Sequence, residues 1–306
     1  MRDWFAEERR HLEWAMRADP PDIMHVHWGY ENALAATAAK VAPILVTLHD
    51  WAPVILRWQM TPYRLGRLAL QAKALRGIDA LAAPSPYLAN LATRWLRRDC
   101  AVIPPGQPPE HFAPTPRPYP TGAPLLISAN QGFGRRKNLP ALLRALPAIR
   151  RVFPEARLRL LGYGHEPGGL AQAWALARNL GDGVEFIGEV PQSDVPRHFS
   201  EAHLMVHPSQ EEAFGHVLIE AMGMGTPVIA AAEAQAPTWI LGQGRNGVVV
   251  PCHSPGPLAE ACIALLSDKA RWEAVGLAGW TAARREFTVA RMTEAYLALY
   301  RQILGA

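Results

Sequence analysis

Two glutamates, Glu212 and Glu220, stand eight residues apart in the run Pro208-Ser-Gln-Glu-Glu-Ala-Phe-Gly-His-Val-Leu-Ile-Glu-Ala-Met-Gly-Met-Gly-Thr-Pro227. Val217, Leu218, Ala221 and Met222 recur at helical spacing, which predicts a helix beginning near Phe214-Gly215 with Glu212 in the turn before it. At about 1.5 Å rise per residue the two carboxylates are roughly 12 Å apart along the axis. A hydrolytic carboxylate pair is closer, roughly 5–9.5 Å. The glutamates therefore suit two different parts of one extended ligand. The helix start after a tight Gly turn adds free N–H groups and a positive dipole end, which suit an anion.

Three other stretches carry chemistry. The loop Asn130-Gln-Gly-Phe-Gly-Arg-Arg-Lys-Asn138 follows an apolar run and precedes another. Its glycines permit close backbone approach, and Arg136 and Lys137, with Arg135 a third choice, supply charge-assisted donors for phosphate. His25, His27 and Trp28 end one apolar run, and His49-Asp50 end the next. A structural histidine is the bland reading of each; two neighbouring strands that both end in His bring a ligand-facing role level with it. A His–Asp metal site would need further ligands, so no metal is expected. Between Arg57 and Arg98, eight basic residues face one acid, Asp79, with leucines interleaved. That pattern is a solvated helix face or a contact with anionic lipid.

The elements that hold these groups follow from the apolar pattern. The first helix spans residues 3–18, with Asp3 as cap and Trp4 on its apolar face, and Pro20-Pro21 ends it. Strands are expected at Ile23–His27, Ile44–Leu48, Ala80–Ala83 and Ala101–Ile103, alternating with helices, which implies a parallel sheet covered on both faces. Nine prolines in the 21 residues Pro104–Pro124 mark a semi-rigid linker. Strands then resume near 125–129, 157–161, 184–187, 203–207, 227–231 and 247–250, enough for a complete doubly wound unit. The expected division is residues 1–118, including most of the linker 104–124, then 119–286, then a closing helical segment 287–306.

The chain has 306 residues, 49% of them hydrophobic, enough to fill two cores. Its net charge of +4 is too weak to argue for nucleic acid. Three cysteines without Cys-x-x-Cys spacing fit a reduced, cytoplasmic setting. No apolar run is long enough to span a membrane.

Pro-Ser, then Glu-x-Phe-Gly, then Glu-Ala-Met-x-x-Gly-x-Pro-Val resembles the Glu-x7-Glu signature of retaining glycosyltransferases of family 4, which have the GT-B fold of two Rossmann-like α/β domains. Thr47-Leu48-His49-Asp50-Trp51 and Asp22 to Trp28 are similar to segments of that family's acceptor-side domain, and the last helix of the family packs back on that domain. The resemblance implies that Glu212 meets the transferred sugar, with Gly215 in the turn that follows it. Glu220 would hold the ribose, Arg136 and Lys137 the diphosphate, and the backbone near Val190 the nucleobase. It gives His49 a place in the catalytic pocket, with His27, Trp28 and Asp50 on the acceptor side. It implies a nucleotide-diphosphate sugar as co-substrate and no cofactor. The acceptor would be a saccharide or lipid-linked hydroxyl at the inner membrane face, in cell-surface polysaccharide or glycolipid assembly.

Two departures stand out. The Arg that directly follows the first strand of the family's second domain is absent, and the Gly-Gly-x-x-Glu turn after the strand at 227–231 reads Ala234-Gln-Ala-Pro-Thr238. The first domain also supplies only four strands, the first of them similar to the family's fourth. A half-sheet ending at Ile23–His27 is expected, its edge met by an upstream segment, by helix 3–18 or by a partner chain. These departures keep a second reading in view, a non-catalytic sugar-nucleotide-binding subunit that needs a partner. A nicotinamide oxidoreductase is disfavoured, because Gly162-Tyr163-Gly164 lacks the third glycine of a dinucleotide fingerprint.

Overall fold

The structure, a computed structural model, describes residues 5–305. Asp3 and Trp4, the expected cap and first apolar residue of the opening helix, lie outside the described residues. The described residues form two compact units, one of residues 5–105 with 290–305 and one of residues 106–289.

In the first unit the chain runs α1 (Ala6–Ala18), β1 (Met24–His27), α2 (Glu31–Ala39), β2 (Ile44–Thr47), α3 (Ala52–Trp58), α4 (Pro62–Ala74), β3 (Ala80–Ala83), α5 (Pro86–Leu96) and β4 (Ala101–Val102). The sheet is parallel throughout, in the order β1-β2-β3-β4. Every residue of β2 is buried, as expected of a central parallel strand covered on both faces. Ser85 caps α5 by accepting from Leu88 N at 3.3 Å, and Pro86 sits at its first turn, where a missing N–H costs nothing. The C-terminal helix, Val289–Leu304, lays Met292, Ala295, Tyr296, Leu299, Tyr300 and Ile303 against Leu45, Ala82 and Ile103. Among the described residues β1 pairs only with β2, so the strand is an edge, and α1 packs against α2.

The second unit runs β5 (Leu125–Ala129), α6 (Leu139–Val152), β6 (Arg157–Leu161), α7 (Leu170–Leu176), β7 (Val184–Gly188), α8 (Val195–Glu201), β8 (Leu204–His207), α9 (His216–Gly223), β9 (Val228–Ala231), α10 (Gln235–Ile240), β10 (Val248–Val250), α11 (Pro255–Ser267) and α12 (Lys269–Glu286). Its six parallel strands are ordered β10-β9-β8-β5-β6-β7. Successive strand side chains point to opposite faces. Leu126 therefore joins a core with Leu142 and Leu146 of α6, while Leu125 and Ile127 join one with Phe199, Leu218 and Met222. The chain winds from β5 out to β7 and then returns to place β8 on β5's other side. That reversal leaves a crevice at the carboxyl ends of β5 and β8, where open α/β sheets take ligands.

The proline-rich stretch corrects the expected linker. The boundary between units falls at Pro105/Gly106, ahead of the expected 118/119, and at 289/290 in place of 286/287. Residues 106–124 belong to the second unit because polar anchors between the prolines fasten them. Arg117 Nη2 donates to Ala202 O at 2.8 Å, and its Nη1 donates to Phe199 O at 3.1 Å and to Ser200 O. Tyr119 Oη donates to Leu266 O at 2.9 Å. Burial lowers the Arg117 pKa to about 10, which leaves it charged at neutral pH.

In the first unit His25 ties β1 to the C-terminal helix and to β2. Its Nδ1 hydrogen-bonds Tyr300 Oη at 2.6 Å and its Nε2 hydrogen-bonds Thr47 Oγ1 at 2.8 Å, which also meets Tyr296 Oη at 3.0 Å. Burial, then the neighbouring His27 and His49, lower its pKa from 6.5 to about 4. Between those values the unfolded chain holds a proton that the folded chain lacks, so acid favours unfolding. The contribution is fully present above pH 6.5 and is lost as pH falls toward 4. In urea titrations the unfolding midpoint should drop across that window, and His25→Phe should flatten the drop. An unchanged slope in the variant would assign the acid sensitivity to other groups.

Candidate active site

The loops after β5 and β8 meet at the crevice. Asn130 leaves β5 and accepts from Ser209 Oγ at its Oδ1, 3.2 Å away, while Gln210 N donates to Arg136 O at 2.8 Å. Asn138 ends the first loop in the left-handed region, φ 52°, and its Nδ2 donates to Cys252 O at 2.6 Å. Gly162, with φ 108°, lets the turn after β6 run so close to Asn130 that a Cβ would sit 2.0 Å from its carbonyl oxygen. Gly215 has φ 107° and starts α9, where an added Cβ would fall 2.5 Å from Leu218 Cδ1. Both positions need glycine for conformation and for space.

Four charged side chains pair across these loops. Lys137 Nζ donates to Glu212 Oε1 at 2.5 Å, and Arg136 Nη1 donates to Glu211 Oε2 at 3.1 Å. His207 Nε2, at the end of β8, lies 3.1 Å from the same Glu212 oxygen. Burial pushes the Glu212 carboxyl upward, but Lys137 and His207 outweigh it and hold the group well below the usual carboxylate range. Glu211 behaves oppositely. Burial raises its pKa, and the more exposed Arg136 offsets only part of the rise.

Beside this cluster lies a pocket of about 580 Å³, wholly within the second unit. Its walls include Gln131, Gly162, Glu189, Val190, Gln192, His216 and Glu220. Gln192 Nε2 donates to Glu220 Oε1 at 3.0 Å, and burial raises the Glu220 pKa. Of the sequence-derived residues, Glu220 and Val190 line the pocket, and Gly215 precedes pocket-lining His216. Lys137 sits with Glu212 and Arg136 with Glu211, beside the pocket and not in its lining. Gln131, at the first loop position after Asn130, is in the lining. Sequence reading missed His207, Glu211, Gln192 and His216. His207 was findable, because it ends a strand at the carboxyl edge just as His27 does.

In the first unit His27 Nδ1 hydrogen-bonds His49 Nε2 at 2.8 Å, and Trp28 lies against His49 with ring centroids 5.0 Å apart. Trp28 has φ 73° and is 42% exposed, so its ring is available to a ligand. Asp50 is held from behind. Its Oδ1 accepts from buried Tyr30 Oη at 2.6 Å, and the Arg67 guanidinium covers the Tyr30 ring at 3.5 Å. Among the described residues no group of three or more His, Cys, Asp or Glu side chains could hold a metal ion.

Residues 116–278 match the family described as "Glycosyl transferases group 1", and residues 2–111 match "Glycosyltransferase Family 4". The chain is 31% identical over 314 residues to D-inositol 3-phosphate glycosyltransferase of Kineococcus radiotolerans, covering 92% of this chain and 71% of that protein. It is 29% identical over 293 residues to phosphatidyl-myo-inositol mannosyltransferase of Mycobacterium tuberculosis H37Rv, covering 92% and 73%. Among solved structures, Anabaena Alr3699/HepE in complex with UDP-glucose superposes with a TM-score of 0.77 at 19% identity, covering 98% of this chain and 83% of that one. The last likeness concerns the fold alone.

Lys137 and Glu212 are 13% and 12% exposed, so removing one partner strands a buried charge. Lys137→Met should destabilise the second unit by about 3–5 kcal/mol. The double variant Lys137→Met/Glu212→Gln should recover more than about 1 kcal/mol of that loss. Denaturant titrations of the four-member cycle measure the coupling, and strictly additive losses would mean the pair is not coupled.

Proposed function

The chain belongs to the glycosyltransferases of group 1 and family 4, and from that membership we propose a retaining, metal-independent transfer of a sugar from a nucleotide-diphosphate donor to a hydroxyl acceptor. The observation that carries the reading is the pocket at the strand-order reversal, with Glu220 on its wall and the Lys137–Glu212 pair beside it. UDP-glucose bound to the Anabaena protein of the same fold supports a nucleotide sugar as donor.

In this reading Glu220 accepts hydrogen bonds from the ribose hydroxyls and the backbone around Val190 borders the base. Lys137, near the end of the loop between β5 and α6, offsets charge that grows on the departing diphosphate, stabilisation of the oxyanion-hole type. Glu212, kept ionised by Lys137 and His207, accepts from hydroxyls of the transferred sugar. The sugar's anomeric carbon leaves the diphosphate oxygen and bonds to the acceptor oxygen on the same face. The acceptor's proton passes to the departing phosphate, so no protein nucleophile is required. His49, with His27 and Trp28 against it, serves the acceptor side. The inositol-based names of the relatives make a polyol or lipid-linked polyol headgroup the first acceptor to try.

Transfer from a panel of nucleotide sugars, followed by mass spectrometry, tests the proposal. Activity should survive EDTA, since no Asp-x-Asp occurs in the sequence. Glu220→Ala should weaken nucleotide affinity roughly tenfold to a hundredfold, the usual worth of charge-assisted hydrogen bonds. Loss on chelation with recovery on a divalent ion would defeat metal independence. Binding without transfer of any sugar would favour a non-catalytic subunit.

A membrane-surface acceptor draws support from the first unit. Met60, Leu65 and Trp95 are 79%, 52% and 64% exposed among the basic residues of the 57–98 segment. No described helix is long and apolar enough to cross a membrane. Co-sedimentation should be stronger with anionic than with neutral vesicles and should weaken as salt shortens the Debye length below about 10 Å. Equal partitioning to both would remove the lipid contact.

A further inference from the structure

The pocket read above as the donor site carries an electrostatic puzzle. Its lining includes two carboxylates, Glu189 and Glu220, and no Arg or Lys. Gln131 fills the first loop position after Asn130 and uses its Oε1 to accept from Tyr163 N at 3.2 Å. Arg136 is committed to Glu211 and Lys137 to Glu212. Among the residues lining this pocket, two side chains are able to become cations, His111 and His216.

The two differ in place. His111 Nδ1 hydrogen-bonds Gln107 Oε1 at 2.9 Å and His111 lies near Glu220, so it stands at the ribose end of the pocket. His216 opens α9, one helical turn before Glu220, and both line the pocket from that helix. Residues four apart share a helix face about 6 Å apart along the axis. That is the reach from a ribose diol to the phosphates on its 5′ carbon. With Glu220 on the diol, the diphosphate falls at His216. The His216 ring is open to solvent through the pocket, and no side-chain hydrogen bond engages it among the described residues.

We propose that His216 grips the donor's diphosphate from the pocket wall, in addition to Lys137 beside the pocket, and that a nucleoside diphosphate therefore binds with uptake of a proton. The proposal rests on the donor-site reading of the pocket. The groups facing His216 are the Glu212 carboxylate, the Phe214 ring at 5.3 Å between centroids, and, across the pocket, His111, Glu189 and Glu220. Burial lowers the His216 pKa, with Glu212, itself tied to Lys137 and His207, pulling the other way. The free imidazole is thus largely neutral near pH 7, and an arriving phosphate dianion supplies the opposite charge that favours its protonated form. Affinity should be highest below the free pKa and fall through the interval between the free and bound values, by up to about tenfold per pH unit.

Calorimetry of UDP and GDP with the whole chain, from pH 6 to 8.5 in buffers of different ionisation enthalpy, reads both quantities. The wild-type protein should take up protons on binding. His216→Gln should bind roughly tenfold to a hundredfold more weakly at pH 6 and nearly equally at pH 8.5, without that uptake. Titration of the nucleotide's own phosphate is common to both proteins, so the difference between them isolates the histidine. His216→Arg, with a permanent charge, should restore affinity across the range and also bind without uptake, which guards against a folding defect in the first variant. If His216→Gln keeps the wild-type uptake and slope, the assignment of His216 falls while the donor site stands. If neither nucleotide binds the wild-type protein, both readings fall together.

Discussion

A parallel strand must be re-entered from the same end as its neighbour, so within each sheet every strand releases its chain at one edge of that sheet. That constraint places the chemistry. His27-Trp28 follow β1, His49-Asp50 follow β2, Asn130 to Asn138 follow β5, Gly162 follows β6, Glu189 to Gln192 follow β7, and Pro208 to Gly215 follow β8. These segments are far apart in sequence, and in each unit the hydrogen-bond ladder brings them together without any loop reaching far. The central strands can be short because they are buried on both faces, so four residues of β8, all of them buried, suffice to aim His207 and the Glu212 loop.

Within the second unit this edge is also where charge becomes difficult to keep. Glu211 and Glu212 are adjacent in sequence and largely buried, yet their pKa values move in opposite directions. The difference lies in their partners. Glu212 has a well-buried Lys137 and the His207 imidazole on the same oxygen, while Glu211 has a single Arg136 that remains 35% exposed. Solvent around Arg136 screens its attraction, whereas little solvent reaches Lys137. The structure thus keeps one carboxylate firmly ionised and leaves its neighbour easier to protonate.

The strands were legible because apolar runs of four or five residues between turn signals leave few alternatives. Each of the ten strands lies within two residues of its expected bounds. The Glu212-to-Glu220 helix was legible from its periodicity, and its placement from the strands that flank it. The proline-rich stretch was not. Prolines report that a segment cannot be helix or central strand, but they do not say what it packs against. Arg117 and Tyr119 decide that through bonds to carbonyls about 80 and 147 residues away in sequence, and no local pattern encodes such partners. The pairing of Arg136 with Glu211 was not legible for a related reason. The sequence shows three adjacent cations, Arg135, Arg136 and Lys137, but it does not say that Arg136 meets Glu211 and Lys137 meets Glu212, partners 75 residues away.

The first unit shows how a small parallel sheet can be closed by the far end of the chain. Its β1 and β4 are edges, and β4 is two residues long. The C-terminal helix adds six apolar or aromatic side chains over Leu45, Ala82 and Ile103. At about 25 cal/mol per Å² of apolar area, a contact of this kind is worth several kcal/mol. Its two tyrosines are not only apolar cover, because their hydroxyls complete the bonds of His25 and Thr47 in the strands below. His25 in turn lies against His27, which bonds His49. The last helix is therefore linked, from Tyr300 through His25 and His27, to His49 at the open edge of this sheet.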